Sequence, residues 1–111
     1  MQYYKIEITD LAERDLEKIG DYIAFDLKSP STALHLIKNL KKEIHKLNYF
    51  PLRYELDEDL VLAGMGIRKL YYKSFRIFYM VDIGSVSVLI VRILHMSVDS
   101  KGILYHTLEL E

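Results

Sequence analysis

Hydrophobic positions first alternate along the chain and then recur at helical spacing. From Tyr3 to Thr9, Tyr4, Ile6 and Ile8 fall on one side and Lys5 and Glu7 on the other. That period of two predicts a half-buried strand. Asp10-Leu11-Ala12-Glu13 carries the capping-box spacing, with Asp10 as N-cap and Glu13 three residues on. Ala12, Leu16, Ile19, Ile23 and Leu27 then step by three and four, which predicts a first helix ending near Leu27. Lys28-Ser29-Pro30-Ser31 interrupts it, because proline cannot continue a helix but can begin one. Ala33, Ile37, Leu40, Ile44 and Leu47 form the apolar stripe of a second helix, and Lys38, Lys41, Lys42 and Lys46 fall mostly on its wet face. So short a break makes the two helices an antiparallel hairpin.

Phe50-Pro51 closes this half, and the polar, acidic stretch from Arg53 to Asp59 reads as a loop. Three runs rich in Ile, Val, Tyr and Phe follow: Ile67 to Tyr72, Phe75 to Val81 and Val86 to Leu94. Their separators, Lys73-Ser74 and Asp82-Ile83-Gly84-Ser85, are short enough for β-hairpins. The last two runs are apolar on both faces, as central strands covered by helices would be. Ile103 to Leu110 fits a fifth strand or a helical turn, and the terminal Leu-Glu can be an expression-vector remnant. The expected fold is α+β: an N-terminal strand, a helical hairpin, then a three-stranded antiparallel meander. We expect one domain over residues 1–111, with its core in 3–99 and a tail in 100–111.

Composition narrows the chemistry. Half of the 111 residues are hydrophobic and none is cysteine, which allows a real core and removes disulfides, thiolate metal sites and a cysteine nucleophile together. The apolar run Val88 to Val91 is far too short to span a membrane, and Met1-Gln2-Tyr3-Tyr4 does not open a secretory signal. A cytoplasmic protein is the expectation. The formal net charge of −1 argues against a nucleic-acid binder. However, residues 64–98 carry Arg68, Lys69, Lys73, Arg76 and Arg92 against Asp82 alone, a local balance of +4. Local field, not the total, decides whether a phosphate is held.

No metal-ligand spacing is visible among His35, His45, His95 and His106. There is also no phosphate-cradling glycine loop and no serine in a nucleophile elbow. The basic sheet segment remains. If Lys73-Ser74 is a two-residue turn, Tyr72 pairs with Phe75 and Arg76 lies opposite Tyr71. If Ile83-Gly84 turns the next hairpin, Val81 pairs with Val86 and Arg76 lies opposite Val91. Lys69, Arg76 and His95 would then share one face, with Arg68 and Arg92 on the other. Arginine offers a rigid fork to phosphate oxygens and histidine exchanges protons near neutral pH, so such a set suits binding or cleavage of a phosphodiester. The plainer readings are an ion-paired surface arginine, a polar strand-end histidine, and tyrosines that pack rather than stack on bases.

Phe50-Pro51-Leu52-Arg53, Gly66-Ile67-Arg68-Lys69-Leu70, Ser74 to Val81, and Arg92-Ile93-Leu94-His95 with Asp99 together resemble the RelE/ParE toxin superfamily. The opening Ile6-Glu7-Ile8-Thr9 with Ala12, Asp15-Leu16 and Tyr22-Ile23-Ala24 is similar too, so the likeness spans residues 3 to 99. It implies the toxin of a type II toxin–antitoxin pair, a plasmid-stabilisation or addiction-module toxin neutralised by a cognate antitoxin. It also implies a helical hairpin packed on a small twisted antiparallel sheet. The superfamily divides into RelE-like enzymes that cut mRNA on the ribosome and ParE-like proteins that poison DNA gyrase without chemistry of their own. On the first pattern, Arg76 and His95 are the catalytic candidates, with Arg68, Lys69 and Arg53 holding the RNA backbone. Ribosome-associated mRNA cleavage, with no cofactor and no metal, is the leading expectation, and gyrase poisoning is the alternative. Met96, where related nucleases can have tyrosine, departs from the nuclease pattern. The Arg-Ile-Leu-His run and the Pro-Leu-Arg turn are equally at home in ParE-like sequences.

Overall fold

Four strands form one sheet in the computed structural model, which describes residues 2–110. β1 is Lys5–Ile8, β2 Arg68–Tyr72, β3 Phe75–Asp82 and β4 Ser87–His95, in the spatial order β1-β4-β3-β2. β2, β3 and β4 make the expected antiparallel meander, while β1 runs parallel to β4. A parallel neighbour needs a long crossover, and the helical hairpin lies within the one that joins them. Met1 and Glu111, the outer ends of the opening run and of the suspected vector remnant, lie outside the described residues.

The helical hairpin covers one face of the sheet. α1 spans Asp10–Asp21 and is capped by Thr9 rather than Asp10, since the Ala12 amide donates to Thr9 Oγ at 3.1 Å. A π-helical turn over Tyr22–Asp26 extends it, and Lys28, in the left-handed region at φ 55°, reverses the chain. α2 spans Pro30–His45 with proline in its first turn, and a 3₁₀ turn over Lys46–Asn48 follows. The predicted stripe is real: Ala33, Leu40, Ile44 and Leu47 are buried. Leu16, Leu40, Ile44 and Leu47 pack with Ile77, Tyr79, Val88, Ile90 and Ile93 of the sheet in one core cluster. Each such side chain contributes about 1.5–3 kcal/mol by leaving water.

The other face has its own layer, less visible in the sequence. The stretch from Arg53 to Asp59 is not free loop: Leu56 bridges to Arg68, and the Asp57 amide donates to the Ile67 carbonyl at 2.8 Å. These bonds occupy the outer edge of β2, one of the two sheet edges at which a fifth strand could add. A short helix, α3 (Leu60–Gly64), follows with Asp59 as its cap. The tail forms α4 (Ser100–Thr107), so of the two forms open to it, the helix is found. Leu104 of α4 packs with Leu62, Ile67, Phe78, Val91 and Leu94, and Leu110 rests on the same cluster.

Register determines what faces each layer. Tyr72 pairs with Phe75 and Arg76 with Tyr71, as the first turn predicts. The second hairpin differs. Val81 pairs with Val88 rather than Val86, because the loop spans Ile83 to Val86. A slip of two preserves the faces. Further along, Tyr79 pairs with Ile90 but Phe78 with Arg92, so Val91 is a bulge residue without a partner. This one extra residue reverses every face beyond it. Arg76 lies opposite Leu94 rather than Val91, and His95 lies opposite Phe75. His95 therefore belongs to the hairpin side, while Arg76 belongs to the α4 side with Lys69 and Arg92. The bulge is held from outside. Thr9 Oγ donates to the Val91 carbonyl at 3.0 Å, and the Ile93 amide donates to Asp15 at 2.9 Å.

Candidate functional site

The cations of the sheet segment sit close together in sequence, and the fold gives each one except the exposed Lys73 a hydrogen-bond or ion-pair partner among the described residues. Lys69 points at the acidic stretch before α3, where it pairs with Glu58 and lies 3.6 Å from Asp57. Burial works against its charge, but these carboxylates outweigh that and raise its pKa. The hydrogen bond from Lys69 lowers the Glu58 pKa in return. Arg68 donates to the Tyr54 carbonyl at 2.6 Å and to Leu52 at 3.3 Å. Arg53 donates to the Lys46 carbonyl at 3.2 Å and lies over the Tyr54 ring at 5.2 Å.

Arg76 is tied to the segment that leads into α4. One terminal nitrogen donates to Ser100 Oγ at 3.1 Å, and the other to the carbonyls of His95 and Val98 at 3.1 and 3.0 Å. Its Nε is buried without a partner among the described residues, and the guanidinium stacks on Phe78 at 5.6 Å. Arg92 is likewise engaged. It makes a bidentate pair with Asp15 of α1, both contacts at 2.8 Å, and donates to Thr107 of α4 at 3.0 Å. Of the segment's five cations, Lys69 and Arg92 are thus offset by carboxylates, Arg68 and Arg76 are held by neutral acceptors that leave their charge in place, and Lys73 stays exposed over the Tyr72 ring.

His95 stands apart on the opposite face. Its ring meets Phe75 edge to face at 5.3 Å, and its Nδ1 accepts the Ser97 amide at 3.0 Å. Accepting there keeps the neutral ring's proton on Nε2. The ring lines a mainly apolar groove of about 590 Å³ with Ile19, Tyr22, Ile23, Leu27 and Phe75. Arg76 reaches only the backbone of His95. The structure therefore brings Arg53 and Arg68 together around the Pro51–Tyr54 segment, keeps Lys69 and Arg76 on one face where both charges act on Glu58, and leaves His95 on the other. Among the described residues, no group of His, Asp and Glu is arranged to hold a metal ion. Among the described residues, no helix is long and apolar enough to cross a membrane.

Sequence reasoning missed the groups that organise this region, namely Thr9, Asp15, Asp57 and Asp59. Asp15 and Asp57 are the buried acids, and their signal was available as charged residues beside apolar ones. Asp59 caps α3, accepts from the Tyr105 hydroxyl at 2.7 Å and pairs with Lys101 at 3.3 Å. The hydrogen bond from Tyr105 is the main cause holding the Asp59 carboxyl below its ordinary pKa.

The ParE toxin family of type II toxin–antitoxin systems matches residues 6–99. A search of curated sequences finds no match. Among solved structures, a chromosomal ParDE system from P. aeruginosa aligns with a TM-score of 0.69 at 21% identity, covering 86% of this chain and 98% of that one. The RelBE2 toxin–antitoxin complex from Mycobacterium tuberculosis aligns with a TM-score of 0.64 at 22% identity, covering 86% and 93%. A mutant E. coli RelE toxin in the free state aligns with a TM-score of 0.61 at 18% identity, covering 99% and 98%. At these identities the three structures speak for the fold.

Proposed function

The chain belongs to the ParE toxin family of type II toxin–antitoxin systems, within the RelE/ParE superfamily, and from that premise we propose that it arrests growth by binding DNA gyrase rather than by cutting mRNA. One observation carries this reading: Arg76 and His95 lie on opposite faces of the sheet, and the Arg76 guanidinium is committed to Ser100 and two carbonyls. Cleaving a phosphodiester requires an acid–base group within hydrogen-bond reach of the reacting oxygens and a cation aimed at the charge that develops. Lys69 and Arg92 are offset by carboxylates and Arg68 is committed to two carbonyls, so of the sheet cations Lys73 alone is outside any hydrogen bond or ion pair among the described residues. A binding inhibitor needs neither.

The ribonuclease reading, with the ribosome and mRNA as partners, draws its support from His95, an exposed imidazole whose Nδ1 accepts the Ser97 amide beside an open groove. A cognate antitoxin is the partner that keeps the toxin silent. Tyr22, exposed at 55%, and Leu27, at 53%, give the same groove an apolar wall for such a chain to cover.

Supercoiling by purified gyrase, run beside primer extension on mRNA after induction, tests the choice. The expected result is inhibited supercoiling, no new mRNA ends, and growth arrest undiminished in His95→Ala. Fresh mRNA ends that disappear in His95→Ala, with gyrase unaffected, overturn it.

A further inference from the structure

Unpaired positive charge is concentrated on the outer face of α2. Ser31, His35, Lys38, Lys42 and His45 recur at steps of four and three, opposite the buried Ala33, Leu40 and Ile44, and Lys41 and Lys46 flank them. Every exposed residue from His35 to Lys46 is a lysine or a histidine. Lys46 holds Glu43 at 2.7 Å, whereas Lys38, Lys41 and Lys42 are in no ion pair among the described residues. The two helices of the hairpin also differ in sign. Residues 10–26 hold six acidic and two basic side chains, and residues 28–53 hold six basic and one acidic. The total of −1 hides this polarity completely.

We propose that this face of α2 docks on the phosphate backbone of duplex DNA. The choice of DNA rests on the reading above, in which the target is an enzyme that handles DNA; the choice of a duplex backbone rests on the surface itself. A protein partner would be expected to meet apolar and aromatic side chains at the centre of its interface, where lysine is depleted. Leu34, 73% exposed one turn before Lys38, is the large apolar side chain at the end of this face, and from His35 to Lys46 the exposed residues include no Phe or Tyr and no aliphatic side chain. A single strand would need flat side chains on which to stack its bases. Backbone contact needs only cations and hydrogen-bond donors along a line. Lys38 and Lys42 lie one turn apart, about 6 Å along the axis, so both can face one stretch of backbone.

The test is fluorescence anisotropy of a labelled mixed-sequence duplex with the full chain, across about 50 to 200 mM salt. Three phosphate contacts predict a slope of log K against log salt near −3, or about a 40-fold loss over that range. Lys38→Gln/Lys41→Gln/Lys42→Gln is expected to weaken binding at least about tenfold at the low end and to flatten the slope. Lys5→Gln/Lys18→Gln/Lys101→Gln, with the same change in net charge elsewhere, stays within about twofold. All six lysines are exposed, so circular dichroism should report both variants folded. Equal loss in the two variants, absence of salt-dependent binding by the unmodified chain, or equal binding to the single strand, to an RNA duplex of the same sequence or to poly-glutamate overturns the proposal. Gyrase inhibition by the unmodified chain is measured separately. Its absence overturns the functional reading, and the DNA-binding result still decides this one.

Discussion

Asp15→Ala should be among the most damaging single substitutions in the molecule, although it removes only one small carboxylate. Asp15 accepts three hydrogen bonds, two from Arg92 at 2.8 Å and one from the Ile93 amide at 2.9 Å. The Asp15 and Arg92 side chains are 9% and 17% exposed, so water cannot readily replace the lost partner. Removing one member of a buried pair costs about 3–5 kcal/mol, chiefly because the other charge stays buried. Arg92 keeps its bond to Thr107 and some access to solvent, which places the estimate near the lower end, about 3–4 kcal/mol. For a domain of this size that is a fall in Tm of roughly 12–20 °C. Urea unfolding at neutral pH measures it directly. The cause is separated from simple loss of volume by the double variant Asp15→Leu/Arg92→Met, which replaces the pair with apolar groups and should recover about half the loss or more. A cost under about 1 kcal/mol for Asp15→Ala would refute the reasoning, since the pair would then behave as a surface contact.

Three further outcomes follow from the same geometry. Tyr79→Phe removes a buried hydroxyl that donates to the Pro51 carbonyl at 2.6 Å and should cost about 1–2 kcal/mol in urea unfolding. Burial pushes the Tyr79 phenol up to about 12, so its neutral form is favoured by folding. Stability from this group is fully present below pH 10 and is lost as pH rises from about 10 to 12, a loss of about 2–3 kcal/mol that Tyr79→Phe should abolish in alkaline titrations. The Asp59 carboxyl is held below its ordinary pKa by Tyr105, so its contribution is present above the unfolded value and fades as pH falls through the folded one. Asp59→Asn should therefore speed amide exchange in α4 at neutral pH and reduce the stability lost on acidification; unchanged exchange would count against the link between α3 and α4. Gly66 sits at φ +86° with open space where a side chain would go, so Gly66→Ala should cost about 1 kcal/mol through backbone strain alone, and a neutral effect would contradict that conformation.

How much of this was legible in the sequence depends on whether polarity marked the face of each element. The helical hairpin was legible because Ala33, Leu40, Ile44 and Leu47 alternate with exposed lysines, leaving the helices one way to lie. β4 was not. From Val88 to Leu94 it is apolar on both faces except at Arg92, so its pattern carries no mark that a one-residue bulge would disturb. The residues that stabilise the bulge, Thr9 and Asp15, lie far away in the chain and belong by pattern to a helix start. Hence the strands and the β2–β3 register are legible but the β3–β4 register is not, and that register is what separates Arg76 from His95.

A segment sum counts charges and is blind to pairs, and the partners of the sheet cations come from elsewhere: Asp15 from α1, Asp57 and Glu58 from the stretch before α3. Arg68 and Arg76 are held by carbonyl groups, which no charge count includes. Strand residues facing a covering layer are exposed to such capture, because desolvation makes an unpaired cation costly there. Lysines on the outer face of a helix escape it, since nothing packs over them and the nearest acids along that face can be read directly from the helical repeat. Lys38, Lys41 and Lys42 meet both conditions. Charge read from sequence is therefore best trusted where periodicity also says that the side chain remains in water, and in this chain that condition points to α2 rather than to the more basic sheet.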